Sequence, residues 1–356
     1  MTALKSLRVR SLRNLADADV AVPPRGCVVV GPNGHGKTNL IEALLYCEVF
    51  RSFRGAQDAA MVRFGADGFH VEAVIGNGSG RGTTVAAGYD ARTKQKKVTL
   101  DGSEPARLAD AIGAVRGVVL SPLDVALVAG EPRGRRRYLD VLLALTARGY
   151  LEALTKYRKA LALRTRATPA EMPAFEAVLA EAGQLLWTAR RAWADRWSGP
   201  YAAHCAAMGE AGTSRMSYAP RTDGGEQALL EALSRTREKD RALGRTSVGP
   251  HRDELRLTLE DRPLRHYGSA GQQRTGAIAL RLIEAEAMAE TGAPTLLCLD
   301  DAFAELDQER SGNLGELIEA KASADWQIVA AVPKEGDVPE VIASLPRWSI
   351  REGRIG

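Results

Sequence analysis

Residues 31–38, Gly-Pro-Asn-Gly-His-Gly-Lys-Thr, constrain the fold of this chain more than any other segment. They follow a β-branched run at 28–30 and precede a segment, 38–45, that has helical composition. The pattern G-x-x-x-x-G-K-[ST] between a strand and a helix is a known phosphate-binding loop. Its glycines let backbone N–H groups converge on a phosphate, and the helix N-terminus adds positive potential. A chance glycine-rich turn does not require this order, so the loop predicts a nucleoside triphosphate site.

The loop also predicts roles for its side chains. Lys37 is expected to hold the β- and γ-phosphates as a point charge during catalysis, and the Thr38 hydroxyl is expected to ligate Mg²⁺. The residues predicted to contact the nucleotide here are Gly31, Pro32, Asn33, Gly34, His35, Gly36, Lys37, Thr38 and Asn39.

Four apolar residues followed by two carboxylates, at 296–301, predict the other half of the site. A carboxylate at the end of a buried parallel strand lies at the sheet edge where phosphates bind. Asp300 is therefore expected to hold Mg²⁺, and Asp301 to orient or deprotonate the attacking water. A strand that ends in Asp-Asp is also a common start of a turn, but the loop at 31–38 favours the catalytic interpretation.

A Ser-x-Gly-Gln sequence at 269–272 precedes a helix predicted at 275–290. The hydroxyl of Ser269 and free backbone N–H groups at such a helix start can bind an anion. Ser269 is equally compatible with an ordinary N-cap. In combination with the loop and the acidic strand, Ser269, Gly271 and Gln272 are predicted to contact the nucleotide.

The order of predicted elements indicates an α/β fold with an insertion. Strands are predicted within 4–20, 71–100 (with hairpin signals at 76–80 and 101–102), 115–120 and 295–300. Residues 137–167 are predicted to be helical, a second helix carries one apolar stripe, and 212–225 is predicted to be loose. The stripe consists of Phe175, Leu179, Ala182, Leu186, Ala189 and Trp193.

The loop and the acidic strand must meet around one phosphate, although they lie at opposite ends of the chain. We therefore predict a P-loop ATPase core with mixed sheets and helices, interrupted by a mostly helical domain. The predicted domains are 1–128 with the phosphate loop, 129–244 as the helical insertion, and 245–356 with the two later motifs.

Bulk properties exclude some classes of protein. No run approaches the roughly 20 apolar residues of a membrane span, and the first residues are not a signal peptide. The four cysteines are far apart, which favours buried thiols in a reducing, cytoplasmic compartment over disulfides or zinc sites. The net charge of +4 is too small to indicate a nucleic-acid partner by itself.

The order of these motifs resembles the ABC-type ATPases of the SMC and Rad type, and within them the RecF family of bacterial recombination mediators. The block Gly-Pro-His-Arg-Asp is the most specific match, because generic transporter ATPases lack it. The segments similar to family blocks are 12–14, 31–45, 52–54, 121–122, 130–133, 136–140 and 249–253.

The resemblance implies a function and several partners. It implies an ATP-dependent homodimer that binds duplex DNA and gap junctions near single strands without reading sequence, and that helps RecA to load together with RecR and RecO. It implies that Ser269 and Gly271 of one subunit contact ATP held by Lys37, Thr38 and Asp300 of the other. Arg13 and Asn14, in the opening block, are also expected to contact the nucleotide.

Three departures from the wider ABC pattern make the sequence evidence for hydrolysis weaker than that for ATP binding, and the first of them predicts slow hydrolysis. Asp301 stands where most ABC ATPases have Glu, and its shorter arm holds water less well. Residues 120–122, Leu-Ser-Pro, replace the segment that would contain the Q-loop glutamine. Ala330 and Ala331 stand where a polar switch residue is expected.

Basic residues cluster at the start of the predicted insertion and along its first helix. Clusters of this kind neutralise DNA phosphates without reading sequence, although a solvated helix face has the same composition. Few aromatic residues lie among them, which favours contact with the duplex backbone over base stacking. The residues predicted to contact DNA are Arg135, Arg136, Arg137, Lys156 and Lys159.

Three rival functions stay open from the sequence. A transporter ATPase subunit would need a membrane partner, and the block at 249–253 and the insertion disfavour it. An SMC-like structural protein would need sustained heptads over long arms, which an insertion of roughly a hundred residues does not contain. A nucleotide-binding switch without hydrolysis is suggested by Ala331 and the missing glutamine.

Overall fold

The structure, a computed structural model, describes residues 3–76, 82–222, 224–292, 295–322 and 326–356 of the 356-residue chain. The chain forms two compact units. The first consists of Met1–Leu123 and Glu284–Gly356, and the second of Asp124–Ile283. The architecture is mixed α/β with several sheets, which confirms the predicted fold class.

Among its described residues, the first unit contains two sheets and two complete α-helices. Its strands are β1 (Ala3–Arg10), β2 (Ala18–Ala21), β3 (Gly26–Val30), β4 (Gly68–Gly76), β5 (Thr83–Asp90), β6 (Gln95–Leu100), β7 (Gly117–Leu120), β11 (Leu296–Asp300), β12 (Gln327–Val332), β13 (Arg347–Arg351) and β14 (Arg354–Ile355). Its helices are α1 (Lys37–Val49) and α10 (Gln308–Ala322).

A six-stranded sheet in the order β14-β13-β3-β12-β11-β7 is the centre of this unit. All neighbours except β14 and β13 are parallel. Strands β7, β11 and β12 are buried along their whole length, as expected for a parallel sheet covered on both faces. The carboxyl ends of β3, β12 and β11 therefore share one edge of the sheet.

The second sheet of this unit is antiparallel, in the order β2-β1-β4-β5-β6. Helix α1 packs against strands of both sheets, and its apolar residues belong to the common core. The hairpin predicted at 76–80 lies largely outside the described residues. The β5–β6 connection is at 91–94, and the turn predicted at 101–102 instead follows β6.

The second unit is mostly helical. Its elements are α2 (Val125–Ala129), α3 (Pro132–Thr146), α4 (Tyr150–Arg164), α5 (Met172–Ala207), β8 (Ser214–Ala219), α6 (Gly225–Arg235), α7 (Arg237–Leu243), β9 (Glu254–Leu259), β10 (Arg262–Pro263) and α8 (Leu264–Tyr267). Helix α9 (Ala270–Ala289) begins in this unit and ends in the first. None of the helices in the described part of the chain combines the length and apolarity needed to cross a membrane.

Two local predictions for this unit are wrong. The helix predicted over 137–167 is two helices, because Gly149 adopts a left-handed conformation (φ 78°) between α3 and α4. The segment predicted to be loose at 212–225 contains β8, which pairs with β9 some forty residues later. The apolar stripe of α5 is confirmed, since its members are buried or half-buried.

The pairing of β8 with β9 also explains where the second unit ends. We expected the ATPase core to resume at 245, but the compact second unit extends to Ile283. Residues 245–283 supply β9, β10 and α8, and β9 is the middle strand of the three-stranded sheet β10-β9-β8. The 269–272 segment therefore lies in the second unit.

A buried arginine connects the elements of the second unit. Arg164, only 1% exposed, donates to Glu176 at 3.0 Å, to Asp240 at 2.9 Å and to the Thr246 hydroxyl at 3.0 Å. It also donates to the carbonyl of Leu233 at 2.9 Å. One cation thus joins α4, α5, α6 and α7 and compensates two buried carboxylates, of which Glu176 also pairs with Arg237.

Arg164→Met should lower the free energy of unfolding of the second unit by about 3 kcal/mol, because Asp240 would remain buried without its cation. Chemical denaturation followed by circular dichroism measures this loss. Arg215→Met is the control, since the Arg215–Asp261 pair is exposed and should contribute about 0–1 kcal/mol. Equal small effects of both substitutions would contradict the stabilising role of Arg164.

Candidate functional site

The glycine-rich loop connects β3 to α1 at the carboxyl edge of the parallel sheet. Gly36 has φ 113°, a conformation that disfavours any side chain. A Cβ on Gly31 would lie 2.2 Å from the carbonyl oxygen of Ile350, so that position also excludes a side chain. The backbone can therefore curve in front of the helix, as a phosphate site requires.

Lys37 is the first residue of α1 and only 4% exposed. Its Nζ donates to the carbonyl oxygens of Gly31 at 2.7 Å and Pro32 at 3.3 Å, and to Asn33 Oδ1 at 3.1 Å. All three acceptors belong to the loop itself. The ammonium is therefore held against the concave backbone, where it can attract a phosphate group.

Thr38 and Asp300 meet although 262 residues separate them in the sequence. The Thr38 hydroxyl donates to Asp300 Oδ1 at 3.0 Å, and Asp300 is 6% exposed at the end of β11. Burial raises the pKa of Asp300 to about 6, although the Thr38 hydrogen bond opposes this shift and the nearby Asp301 adds to it. The structure thus brings together the two residues predicted to hold Mg²⁺.

Asp301 has an unusual conformation and an unpaired oxygen. Its φ is 50°, and its N–H donates to the carbonyl of Ala331 at 3.2 Å. Its Oδ1 is buried without a hydrogen-bond partner among the described residues. A buried oxygen of this kind can accept a hydrogen bond from a water molecule or a ligand.

The donor set fits a magnesium ion that is shared with phosphate. No group of three or more acidic, histidine or cysteine side chains in the described residues forms a complete metal cage. Mg²⁺ at nucleotide sites needs few protein ligands, because phosphates and water complete its shell. Thr38 and Asp300 provide two adjacent oxygen atoms at the mouth of the loop.

Other predicted residues brace the loop. Asn14 donates to the carbonyl of Gly34 at 3.1 Å and accepts from Asn39 at 2.8 Å. His35 Nδ1 accepts from the N–H of Glu352 at 3.0 Å. The Arg13 guanidinium is directed at another residue, since it forms two hydrogen bonds, of 2.9 and 3.1 Å, with the carboxylate of Glu42. These bonds hold Arg13 against helix α1, and its contact with the nucleotide stays a prediction.

Glu42 is fully buried in α1 and was not among the residues predicted from the sequence. Besides Arg13, it accepts a hydrogen bond from the Ser52 hydroxyl and lies 3.8 Å from Arg54. Ser52 and Arg54 lie in the 52–54 segment that resembles a family block, and their spacing in the sequence does not indicate a partner in α1. A glutamate in an otherwise apolar helical segment was the available signal.

The Ser269 segment lies at the start of α9, in the second unit. The N–H of Ser269 donates to Gln272 Oε1 at 2.9 Å, and the N–H of Gln272 donates to Ser269 Oγ at 3.2 Å. This reciprocal pair is a capping box. It uses two of the N–H groups that we expected to be free, and it leaves those of Ala270 and Gly271, at the first helical positions, without an intrahelical acceptor.

The Gly-Pro-His-Arg-Asp block is part of a buried polar network in the second unit. His251 Nδ1 lies 2.7 Å from the Tyr157 hydroxyl, and Nε2 lies 3.0 Å from the carbonyl of Thr246. Burial lowers the pKa of His251 to about 4, so the ring is neutral near pH 7. The Asp253 carboxylate accepts from Trp187 and Tyr218. The contacts of this block are structural.

The residues predicted to contact DNA differ in solvent exposure and in the partners that they already have. Arg135 is 4% exposed and paired with Glu254 at 2.7 Å, so it is not accessible to a phosphate and its prediction is wrong. Arg136 is half-buried and donates to the carbonyl of Asp253 at 2.8 Å. The other three predicted residues, Lys156, Lys159 and Arg137, are exposed. Lys156 forms an ion pair with Glu181.

Comparison with known proteins identifies a family. The model described as the RecF/RecN/SMC N terminal domain matches residues 3–338. The DNA replication and repair protein RecF of Beutenbergia cavernae is 35% identical over 401 residues, covering 99% of this chain and 98% of the relative. The protein of the same name from Anaeromyxobacter sp. (strain K) is 37% identical over 332 residues, covering 86% and 87%.

Solved structures agree on the fold. A structure of the recombination mediator protein RecF with ATP, from the RecFOR pathway, has a TM-score of 0.90 at 24% identity and covers 100% of this chain and 97% of its own. The Smc head domain of Pyrococcus furiosus has a TM-score of 0.58 at 14% identity, with 100% and 95% coverage. At these identities the likeness shows the fold alone.

Asp300→Asn should stabilise the nucleotide-free protein at pH 8, because it removes a buried charge. The folded state keeps a proton on Asp300 between about pH 4 and 6 that the unfolded state releases, so this group makes stability fall as pH rises through that window. Thermal denaturation at several pH values should show a smaller fall for Asp300→Asn. The exposed Asp67→Asn is the control; identical pH profiles of Asp300→Asn and the unmutated protein would contradict the burial argument.

Proposed function

The chain belongs to the RecF family of DNA replication and repair proteins, and on this premise we propose that ATP binding at the 31–38 loop controls its dimerisation on DNA. The observation that carries the proposal is the hydrogen bond between Thr38 and Asp300, because it assembles both halves of the site. The relative solved with ATP has the same fold.

The side chains of the loop support ATP as the ligand. Lys37 would leave its loop acceptors to pair with the β- and γ-phosphates, and free N–H groups at the start of α1 would bind the same phosphates. Thr38 and ionised Asp300 would hold Mg²⁺, which neutralises phosphate charge when bound. Asn14 would keep the loop curved through its bond to Gly34.

Hydrolysis is proposed to be slow and to depend on Asp301. Its unpaired Oδ1 can accept a hydrogen bond from a water molecule and align that water with the γ-phosphate. Near the carboxyl end of the neighbouring strand β12, Ala330, Ala331 and the last residue, Val332, are all buried and apolar, so β12 offers no polar side chain there. A single short carboxylate orients the attacking water poorly, so turnover would be slow. The ATP-bound state would then have a long lifetime.

Asp301→Asn should retain Mg-ATP affinity but lower turnover at least tenfold, because the amide is a poorer base. Phosphate release under saturating ATP measures turnover, and Glu305→Gln is the control on the same segment. Unchanged turnover in Asp301→Asn would assign the water to another group. If the unmutated protein releases no phosphate, with or without DNA, the second candidate, a nucleotide-binding switch, replaces the ATPase.

Dimerisation is proposed to join the loop of one subunit to the Ser269 segment of the other. The capping box fixes the Ser269 hydroxyl at the start of α9, and the N–H groups of Ala270 and Gly271 in the same first turn have no intrahelical acceptor. Together they form an anion site that the γ-phosphate of a partner's ATP could complete. ATP would then favour the dimer because it contacts this segment only in the closed state.

Ser269→Arg should bind ATP with unchanged affinity as a monomer yet fail to dimerise, since a bulky cation fills a contact formed only between subunits. Lys37→Ala should lose ATP binding. Mixing the two variants restores one composite site with an intact loop and an intact serine, so some ATPase activity should return. Dimerisation and full turnover by Ser269→Arg alone would contradict the shared site.

DNA is proposed to bind through exposed cations of the second unit, with RecR and RecO as partners in helping RecA to load. Arg137 and Lys159 are exposed, and no ion pair of either is present among the described residues. Such side chains contact phosphates without reading sequence, which fits a protein that acts at gap junctions of any sequence.

Replacing Arg137 and Lys159 together by Ala should weaken duplex binding and reduce the slope of log affinity against log salt by about 2, one for each lost phosphate contact. Fluorescence anisotropy across a salt series measures the slope. Arg215 and Arg262, exposed on β8 and β10, give a control of equal charge change. Equal slopes for both double variants would place DNA on another surface.

A further inference from the structure

The turn that follows helix α5 contacts the Ser269 segment. After α5 ends at Ala207, Gly209 adopts φ 86° and the N–H of Glu210 donates to the carbonyl of Cys205 at 3.0 Å. The Glu210 carboxylate is thereby directed toward α9, where its Oε1 accepts from Gln272 Nε2 at 3.3 Å. Its Oε2 is buried without a hydrogen-bond partner among the described residues.

Gln272 connects Glu210 to Ser269 through two hydrogen bonds. The same amide that donates to Glu210 through Nε2 accepts the N–H of Ser269 through Oε1, at 2.9 Å. The chain of bonds therefore runs from a carboxylate through one amide to the backbone of the serine. An anionic acceptor strengthens the first bond, and polarisation of the amide makes its oxygen a better acceptor in the second.

The hydroxyl of Ser269 is consequently oriented. Its oxygen accepts the N–H of Gln272 at 3.2 Å, so its own proton is the donor that remains for a phosphate. Rotation of the Gln272 amide would release the N–H of Ser269 and loosen the capping box. Glu210 disfavours that rotation, because a rotated amide would present its oxygen to the carboxylate.

We propose that Glu210 is a positioning residue that fixes the donor group of Ser269 through Gln272 for the ATP-dependent contact between subunits. This inference rests on the proposed shared site. Glu210 does not itself touch ATP in this account; it makes the Ser269 segment rigid before the partner arrives, which reduces the entropy lost on dimerisation.

Glu210→Ala in the full chain should raise the dissociation constant of the ATP-dependent dimer about tenfold, while the ATP affinity of the monomer stays within about twofold. Sedimentation with a non-hydrolysable ATP analogue measures the first quantity, and nucleotide titration of dilute protein measures the second. Glu210→Gln keeps an acceptor for Gln272, but its own amide can also donate to a rotated Gln272, so it should recover only part of the dimerisation. In the double variant Glu210→Ala with Gln272→Ala, dimerisation should be no weaker than in Gln272→Ala alone.

Glu231→Ala is the matched control, because Glu231 accepts a similar hydrogen bond from Gln227 at 3.1 Å on the exposed face of α6. It should dimerise like the unmutated protein. If Ser269→Arg fails to dimerise but Glu210→Ala dimerises normally, or if Glu210→Gln is as defective as Glu210→Ala, the role of Glu210 is overturned and the shared site stands. If Ser269→Arg dimerises normally, the shared site fails and the role of Glu210 fails with it.

Discussion

The hydrogen bond between Thr38 and Asp300 depends on the parallel order of three strands. β3 leads into the phosphate loop, β11 ends at Asp300, and β12 pairs with both. The register of these pairs sets the carboxyl ends at one level, so the first turn of α1 and the end of β11 come within hydrogen-bond distance. A one-residue change of register between β12 and either neighbour would displace Thr38 from Asp300 by about 3.3 Å along the strands and break their hydrogen bond.

Burying the charged groups of this site costs free energy of folding. The surrounding structure compensates this cost for some of these groups and not for others. Lys37 satisfies its ammonium with three oxygen atoms of the loop. Asp300 has a raised pKa, and Asp301 keeps one buried oxygen without a partner in the described residues. Unfavourable burial next to a curved, pre-formed loop is a common property of functional sites, because the ligand relieves it on binding.

The sequence predicted the elements that local patterns control. The loop, the acidic strand and the apolar stripe of α5 have short-range signals, and their positions were correct to within a few residues. Strand β8 and the pairing of Glu42 with Arg13 were missed, because both depend on residues far away in the chain. Arg135 was misassigned for a related reason: a basic cluster does not reveal which arginine turns inward to pair with Glu254.

If ATP, and not ADP, joins two chains, as we propose, the mass of the unmutated protein in solution depends on the bound nucleotide. Sedimentation equilibrium with Mg²⁺ and either ADP or a non-hydrolysable ATP analogue measures it without any substitution. We expect one chain per particle with ADP and two with the ATP analogue, and we expect duplex DNA to increase the fraction of dimer. The same mass with both nucleotides, in the presence and absence of DNA, would contradict this proposal.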